Sequence, residues 1–476
     1  MTADQIRSLG PALSEYLDEF ADCFKSGDTR LHLKEYVRGQ LSDLPRKSVE
    51  PMARLADVPP RTLQEFLSLS DWDQELLRAR LQQLIARDHA DPGAVGVVDE
   101  SGHPKKGRKT ACVQRQYCGT TGKIDNCVMT VHLAYASGDN AFRTMIDSDL
   151  FLPEGWDNDP ARRRAAAVPD GVHYRPKYDI ALEQVRRARA NGVRFAWVTA
   201  DEWYGSKGPF VTALERMGQP FVLEVRRDLL GWLGAPEPGR RGGVTRRDDR
   251  PRDGGGRTIG DLCAGSPAMT GRPWKRFHVK DTSKGPMVWE ARAALWWTER
   301  DGRSAGPYRL VVARDVLDPS EVKYFLSDVT DVPLRVTLRV AFSRWPVERC
   351  LEDEKGELGL SHFECRKYPA VLRHLLLTQV SHLFLARQCR RLRGEKGRRD
   401  DLPSPRRGRG PVGRAAARPG RPRPPRRAGR GGDPPHPGPQ RGGREVPRQG
   451  PPPQAAGDRH PRRAAHLLSP AVTVNW

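Results

Sequence analysis

Three acidic residues stand out in this 476-residue chain by position rather than by type. Asp99 closes the apolar run Ala94-Val95-Gly96-Val97-Val98, Asp201 closes a second run from Val193 to Ala200, and Glu348 falls much later within a helix-like stretch. Carboxylates ending two neighbouring strands, with a third laid over them by a helix, make an all-oxygen set for hard divalent cations such as Mg²⁺, which keep waters and bind substrate phosphate. Two such ions about 4 Å apart can activate an attacking oxygen and stabilise a leaving one in an in-line displacement. A single strand-end Asp is more often a cap or turn former than a ligand; three in this order of elements favour the metal reading. Adjacent side chains on a strand face opposite ways, so only one of Asp99 and Glu100, and one of Asp201 and Glu202, can enter a shared site. The apolar-run endings favour Asp99 and Asp201.

Around these lie the candidate phosphate contacts. Arg344, Glu348 and Lys355 are spaced by four and seven, which puts them on one helix face. Glu348 would meet the metals while Arg344, in bidentate fashion, and Lys355 hold phosphates. The competing reading is a solvated salt-bridge helix, since Arg349, Glu352, Asp353, Glu354 and Glu357 are also charged; with Asp99 and Asp201 in view, the site reading is preferred. Lys105, Lys106, Arg108 and Lys109 would line a loop beside the site and contact phosphates, or form an ordinary solvated loop. His132 and His173 read as structural. Trp203 and Tyr204 could stack on a frayed base beside a cut, although core packing is favoured. Trp274-Lys275-Arg276 and Trp296-Trp297 are weaker candidates for reaching DNA.

The elements that must position these residues follow from periodicity. Residues 1–90 read as helical: Ile6, Leu9, Leu13, Tyr16, Leu17, Phe20 and Phe24 recur at spacings of three and four, and a second run follows the Pro59-Pro60 break. From about residue 93 strands dominate, with Gln114 to Cys118 and Cys127 to Tyr135 joined by the turn Gly119 to Asn126. Residues 178–190 read as a helix ended by Asn191-Gly192, and Val193 to Ala200 as a buried strand. Phe221 to Val225, Val288 to Trp297, Tyr308 to Ala313 and Val322 to Leu326 are further strands, interrupted by a Gly/Arg-rich loop at 235–258 expected to be mobile. Residues 333–388 return to helix, with Arg344 to Leu358 and Ala370 to Leu385 the clearest segments.

Charge is unevenly spread. Of the net +22, the segment 390–476 supplies 22 Lys and Arg against six Asp and Glu, leaving a mildly basic body. A basic excess favours polyanion partners through counterion release. The segment has too few apolar residues to offset chain entropy, so disorder is expected. It reads either as a basic nucleic-acid arm or, on the abrupt change after Gln388, as the product of a shifted reading frame in a GC-rich gene, the latter preferred. Eight scattered cysteines without a C-x-x-C pair speak against a zinc knuckle and a disulfide framework. No apolar stretch approaches the ~20 residues that span a bilayer, and the N-terminus lacks a signal-peptide pattern, so a cytoplasmic protein without membrane contact is expected.

Four blocks carry a family resemblance. Val97-Val98-Asp99-Glu100-Ser101-Gly102 with Lys105-Lys106-Gly107 resembles the first-aspartate block of bacterial insertion-sequence transposases of the DDE type. Gln116 to Asn126 looks like the hairpin that follows it, and Trp197 to Gly205 is similar to the second-aspartate block. Arg344-Trp345-Pro346-Val347-Glu348 with Lys355 matches three positions of the Tyr-Arg-Glu-Lys signature; at the tyrosine position this chain has Ala341. The resemblance covers about residues 5–388. It implies an α/β fold: a ribonuclease-H-like catalytic core with an inserted, mostly β domain, preceded by a helical domain. The expected layout is a DNA-binding helical domain at 1–90, the core at 91–220 and 331–389, the β-rich insertion at 221–330, and the tail at 390–476. The resemblance further implies Asp99, Asp201 and Glu348 as catalytic residues holding two Mg²⁺ ions, for which Mn²⁺ can substitute. Arg344, Lys355, Lys105 and Lys106 would contact DNA. Double-stranded transposon ends and target DNA are the implied partners, with a homodimer in the synaptic complex. A catalytically inactive, DNA-binding descendant is the alternative.

Overall fold

The computed structural model describes residues 3–235, 240–241, 244–245, 256–282, 285–300 and 303–400. Most of the Gly/Arg-rich loop expected at 235–258, and all of the expected tail beyond Asp400, lie outside the described residues.

Ten strands form one mixed sheet. At its centre β1 (Val95–Pro104) runs antiparallel to β3 (Lys123–Ala136), which also pairs with β2 (Gln114–Cys118) and β4 (Arg143–Leu150). On the other side of β1, β5 (Trp197–Ala200) and β6 (Phe221–Glu224) are parallel to it. The sheet continues from β6 through antiparallel β10 (Val322–Ser327), β9 (Arg303–Asp315), β8 (Gly285–Arg300) and β7 (Lys275–Thr282). Five strands of segment 221–330, β6 to β10, are thus hydrogen-bonded into the same sheet that carries Asp99.

The period of two along β1 sorts its side chains. Val95 and Val97 join one apolar cluster, with Val222 of β6; Val98 joins the other, with Phe221 and Leu223. Helices α9 (Leu334–Ala341) and α10 (Trp345–Gly356) bury Leu338, Val347, Cys350 and Leu351 in the first cluster. Helix α7 (Lys177–Ala190) buries Ile180, Leu182 and Val185 in the second. By this parity Asp99 faces the α10 layer and Glu100 the α7 layer.

Residues 3–88 fold as α1 (Ala3–Arg7), α2 (Leu9–Asp18), α3 (Gly27–Leu41), α4 (Val49–Leu55), α5 (Pro60–Ser68) and α6 (Gln74–Asp88). The helical expectation holds, with Pro60 opening α5, where its missing N–H costs nothing. These helices clasp α11 (Tyr368–Asp400) through buried polar contacts. Tyr16 donates to Val380 O at 2.8 Å, Tyr36 Oη lies 2.7 Å from His374 Nδ1, and Gln40 donates to Thr378 Oγ1 at 2.8 Å. α6 also meets the sheet through a buried ion cluster. Arg187 of α7 bonds Asp147 at 2.8 Å and Asp149 at 2.6 Å, while Arg78 of α6 lies 3.5 and 3.4 Å from the same two carboxylates.

Several sequence expectations differ in extent. β1 does not end at Asp99: it continues to Pro104, because Glu100-Ser101-Gly102-His103 keep pairing with β3 and are largely buried despite their polarity. His103 there lies 2.9 Å from both Thr130 Oγ1 and Ser361 Oγ. The strand before Asp201 begins only at Trp197, where a parallel partner on β1 first becomes available. The hairpin turn closes earlier, at Gly122, whose φ of +66° suits glycine. β4, with its Asp147 and Asp149, had no alternation to reveal it. α11 runs past residue 389, where disorder was expected, because Arg390 and Arg391 find partners: Arg390 lies 2.9 Å from His89 Nδ1 and Arg391 bonds Ser8 Oγ at 3.2 Å.

Removing one member of a buried ion cluster strands the others without compensation. Arg187→Met is therefore expected to lower unfolding free energy by about 3–5 kcal/mol, read from the urea midpoint at unchanged slope.

Candidate active site

Each candidate carboxylate is set by its element. Asp99 lies on β1 two residues beyond Val97, the last β1 residue paired with β5, so its side chain stands where the parallel pair has ended. Its Oδ1 accepts from Glu100 N at 2.8 Å. Asp201 follows β5 and caps α8 (Glu202–Gly205), Oδ1 accepting from Trp203 N at 3.0 Å and Tyr204 N at 3.2 Å. Its capping role is thus real, with Oδ2 outside the cap. α8 lies tight on β6: a Cβ on Gly205 would overlap the carbonyl oxygen of Glu224, so only glycine permits this approach. Glu348 is in the first turn of α10.

Arg344 joins them. It sits in a 3₁₀ turn, Phe342–Arg344, just before α10 rather than within it. Its NH2 lies 2.9 Å from Glu348 Oε1, NH1 3.5 Å from Asp99 Oδ2, and Nε 4.0 Å from Glu224 Oε2. Burial pushes the Asp99 carboxyl up to about 7; Arg344 opposes this, while Asp201 and Glu348 add to it. Those carboxylates therefore share one electrostatic neighbourhood. Burial works against the Arg344 charge, yet Asp99, Glu348, Glu224 and Asp201 together hold its proton above the ordinary guanidinium range.

Oxygen donors of this kind suit hard divalent cations. Their spacing here does not: among the described residues, no group of three or more His, Cys, Asp or Glu side chains is close enough to hold a metal ion. The donor chemistry fits Mg²⁺, and the present arrangement, opened around a guanidinium, does not close on one.

The remaining candidates are placed unevenly. Lys355 reaches over the turn before β3 and donates to Thr120 Oγ1 at 3.2 Å; burial lowers its ammonium. Lys105 turns away into the loop after α10, donating to Phe363 O at 2.7 Å with its ammonium 3.3 Å from the Phe363 ring centre. Burial brings it down to about 8. Lys106 is exposed. Glu100 pairs with Lys177 at 2.5 Å, on the opposite face as its parity requires. Tyr204 is fully buried, and Trp203 is flanked by Lys177 and Lys207 at 4.6 and 4.9 Å. His132 is buried against Thr130 and Ser148 at 2.6 Å each. Trp296 is core, and Trp274 is gripped between Arg292 and Arg314 at 4.4 and 4.1 Å. Trp345 is half-exposed beneath the Arg143 guanidinium, 5.4 Å away; Ala341 is buried in α9.

Glu224 was not anticipated. Phe221-Val222-Leu223-Glu224 is itself a short apolar run ending in a carboxylate, the pattern that marked Asp99 and Asp201. Lys323 holds it at 2.9 Å.

Comparison with known proteins adds an independent line. The pattern of DDE superfamily endonucleases matches residues 19–286. A protein of Microchaete diplosiphon described as a probable transposase for insertion sequence element IS701 is 30% identical over 228 residues, 47% of this chain. That match spans 56% of the relative's own length. The solved NurA nuclease from Sulfolobus solfataricus is similar at 12% identity over 66% of this chain and 86% of that one, with a TM-score of 0.20, too low to carry an argument.

Asp99 has a linkage signature. An acid whose folded pKa is raised contributes stability in its protonated form, present below the unfolded value near 4 and lost as pH climbs through about 7. In chelator-treated protein, Asp99→Asn should therefore match the wild type near pH 4 and exceed it by about 4 kcal/mol at pH 8, in denaturant titrations at both pH values.

Proposed function

This chain belongs to the DDE superfamily endonucleases, and on that footing we propose that it is a DNA transposase, cutting at the ends of a mobile element and joining the freed 3′-hydroxyl to target DNA. The observation that supports the reading is the meeting of Asp99 and Glu348, from sequence positions far apart, on one guanidinium, with Asp201 in the same electrostatic neighbourhood. In this reading β1, β5 and α10 belong to a ribonuclease-H-like core made by residues 91–220 and 331–389, with 221–330 as the insertion that lengthens the sheet. Residues 1–90 are the end-binding domain, and two copies act together when two ends are synapsed.

Two Mg²⁺ ions, when bound, would activate the attacking water or 3′-hydroxyl and stabilise the leaving oxygen. The protein's own part is to orient the strand. Lys355, next to the cluster and, among the described residues, without an ion-pair partner, neutralises a phosphate near the cut. Arg344 supplies a second, bidentate phosphate contact once freed from its carboxylates. Trp203, between Lys177 and Lys207, offers an aromatic face beside Asp201. Ala341 supplies no aromatic ring where the signature has tyrosine, and half-exposed Trp345 is the ring available nearby.

The test is Mg²⁺-dependent nicking of DNA that carries the element's inverted repeats. Asp99→Asn, Asp201→Asn and Glu348→Gln are each expected to cut the rate on the order of 1000-fold, since several kcal/mol of charge stabilisation are lost, while end binding in gel-shift assays persists. Binding without any nicking by the unaltered chain would leave it a silent DNA-binding relative. Lys355→Gln should weaken end binding across sequences and reduce the slope of log K against log salt by about one contact.

A further inference from the structure

We propose that Arg344 is the resident counter-ion of the carboxylate cluster, and that divalent cations enter only when its guanidinium leaves for another anion. This rests on the reading above, in which Asp99, Asp201 and Glu348 are the metal-binding groups.

The geometry is specific to Arg344. Each of its three nitrogens faces a different carboxylate from a different element: NH1 faces Asp99 of β1, NH2 faces Glu348 of α10, and Nε faces Glu224 of β6. A planar fork of this size holds carboxylates at its rim, whereas a Mg²⁺ ion would draw their oxygens to about 2 Å from one centre. The guanidinium thus explains the paradox of the site: the donor chemistry is right, yet no three acidic groups stand at coordination spacing. Of the other basic residues nearby, Lys323 pairs with Glu224, Lys177 with Glu100, Lys105 bonds the Phe363 carbonyl and Lys355 bonds Thr120, which leaves Arg344 as the cation between Asp99 and Glu348.

The hinge for release is in place. Arg344 belongs to the 3₁₀ turn between α9 and α10, so its side chain can swing without unwinding α10, whose Val347 and Cys350 stay packed. A DNA phosphodiester is the acceptor whose chemistry matches, because phosphate takes guanidinium through two parallel hydrogen bonds. DNA binding would vacate the cluster, and the vacated carboxylates would accept divalent cations. By linkage, the cations would strengthen DNA binding by the same factor.

The experiment titrates Mn²⁺ alone into the full chain without DNA, by calorimetry or by loss of the free-ion paramagnetic signal. Arg344→Gln is expected to bind Mn²⁺ about tenfold more tightly than the wild type. Arg349→Gln, which removes an equal charge from α10, where Arg349 pairs with Glu352 and Asp353, should bind as the wild type does. A short duplex should tighten Mn²⁺ binding to the wild type and leave Arg344→Gln unchanged. Arg344→Lys keeps the charge and loses the fork; a gain of about threefold there carries the same conclusion should the glutamine variant not fold. Equal affinities in wild type and both Arg344 variants, all abolished by Asp99→Asn, would overturn the counter-ion role while leaving the metal site standing. Absence of any Asp99-dependent binding in every variant would overturn both.

Discussion

Like charges gathered at the edge of a sheet must be neutralised, and this constraint shapes the centre of the molecule. Two unit charges 4 Å apart near a protein surface repel by about 4 kcal/mol. Asp99, Asp201, Glu224 and Glu348 come from the middle of β1, the ends of β5 and β6, and a helix, so the fold tolerates them together only with cations among them. Lys323 takes up Glu224, Lys177 draws Glu100 to the opposite face, and Arg344 stands between Asp99 and Glu348. The close approach at Gly205 holds α8, which Asp201 caps, against Glu224 of β6, which Arg344 also faces.

A second set of buried polar contacts holds the platform beneath. Glu354 of α10 meets His382 of α11 at 3.0 Å with both side chains buried, pinning the Glu348 helix to the long helix behind it. That helix is in turn gripped by residues more than 300 positions earlier, among them Tyr16, Tyr36 and Gln40. The Arg78, Asp147, Asp149 and Arg187 cluster joins α6 to the sheet by the same means. Buried groups of this kind are costly when half-satisfied and rigid when complete, so the helices of residues 3–88 and the sheet act as one support for the carboxylates.

Much of this was legible in the residues. Helical spacing marked residues 1–90 as helical, located α7 and α10 to within a few positions and found the start of α11 but not its end, and the two carboxylate-ending apolar runs marked Asp99 and Asp201. The alternation rule separated Asp99 from Glu100 correctly. The failures share a cause. β1 was read as ending at Asp99 because its second half is polar, yet that half is buried by β3 and by the loop bearing Ser361. β4 is buried along nearly its whole length, so it carries no alternation, and its aspartates pair with arginines far away in sequence. Residues 390–394 looked like the start of a disordered tail because composition registers charge without registering that His89 and Ser8 would receive it.

Local sequence determined where most helices begin, which apolar runs close on carboxylates and which side of β1 Asp99 and Glu100 take, since these depend on neighbours a few positions away. Tertiary structure alone decided which charges meet. Arg344 was read on a helix face; it lies in the turn before that helix, beside carboxylates of three elements. Lys105 looked like a companion at the site and is spent on the Phe363 loop. The energy of an ion pair depends on distance and burial across elements that the chain brings together only when folded, and no spacing along the sequence encodes that distance.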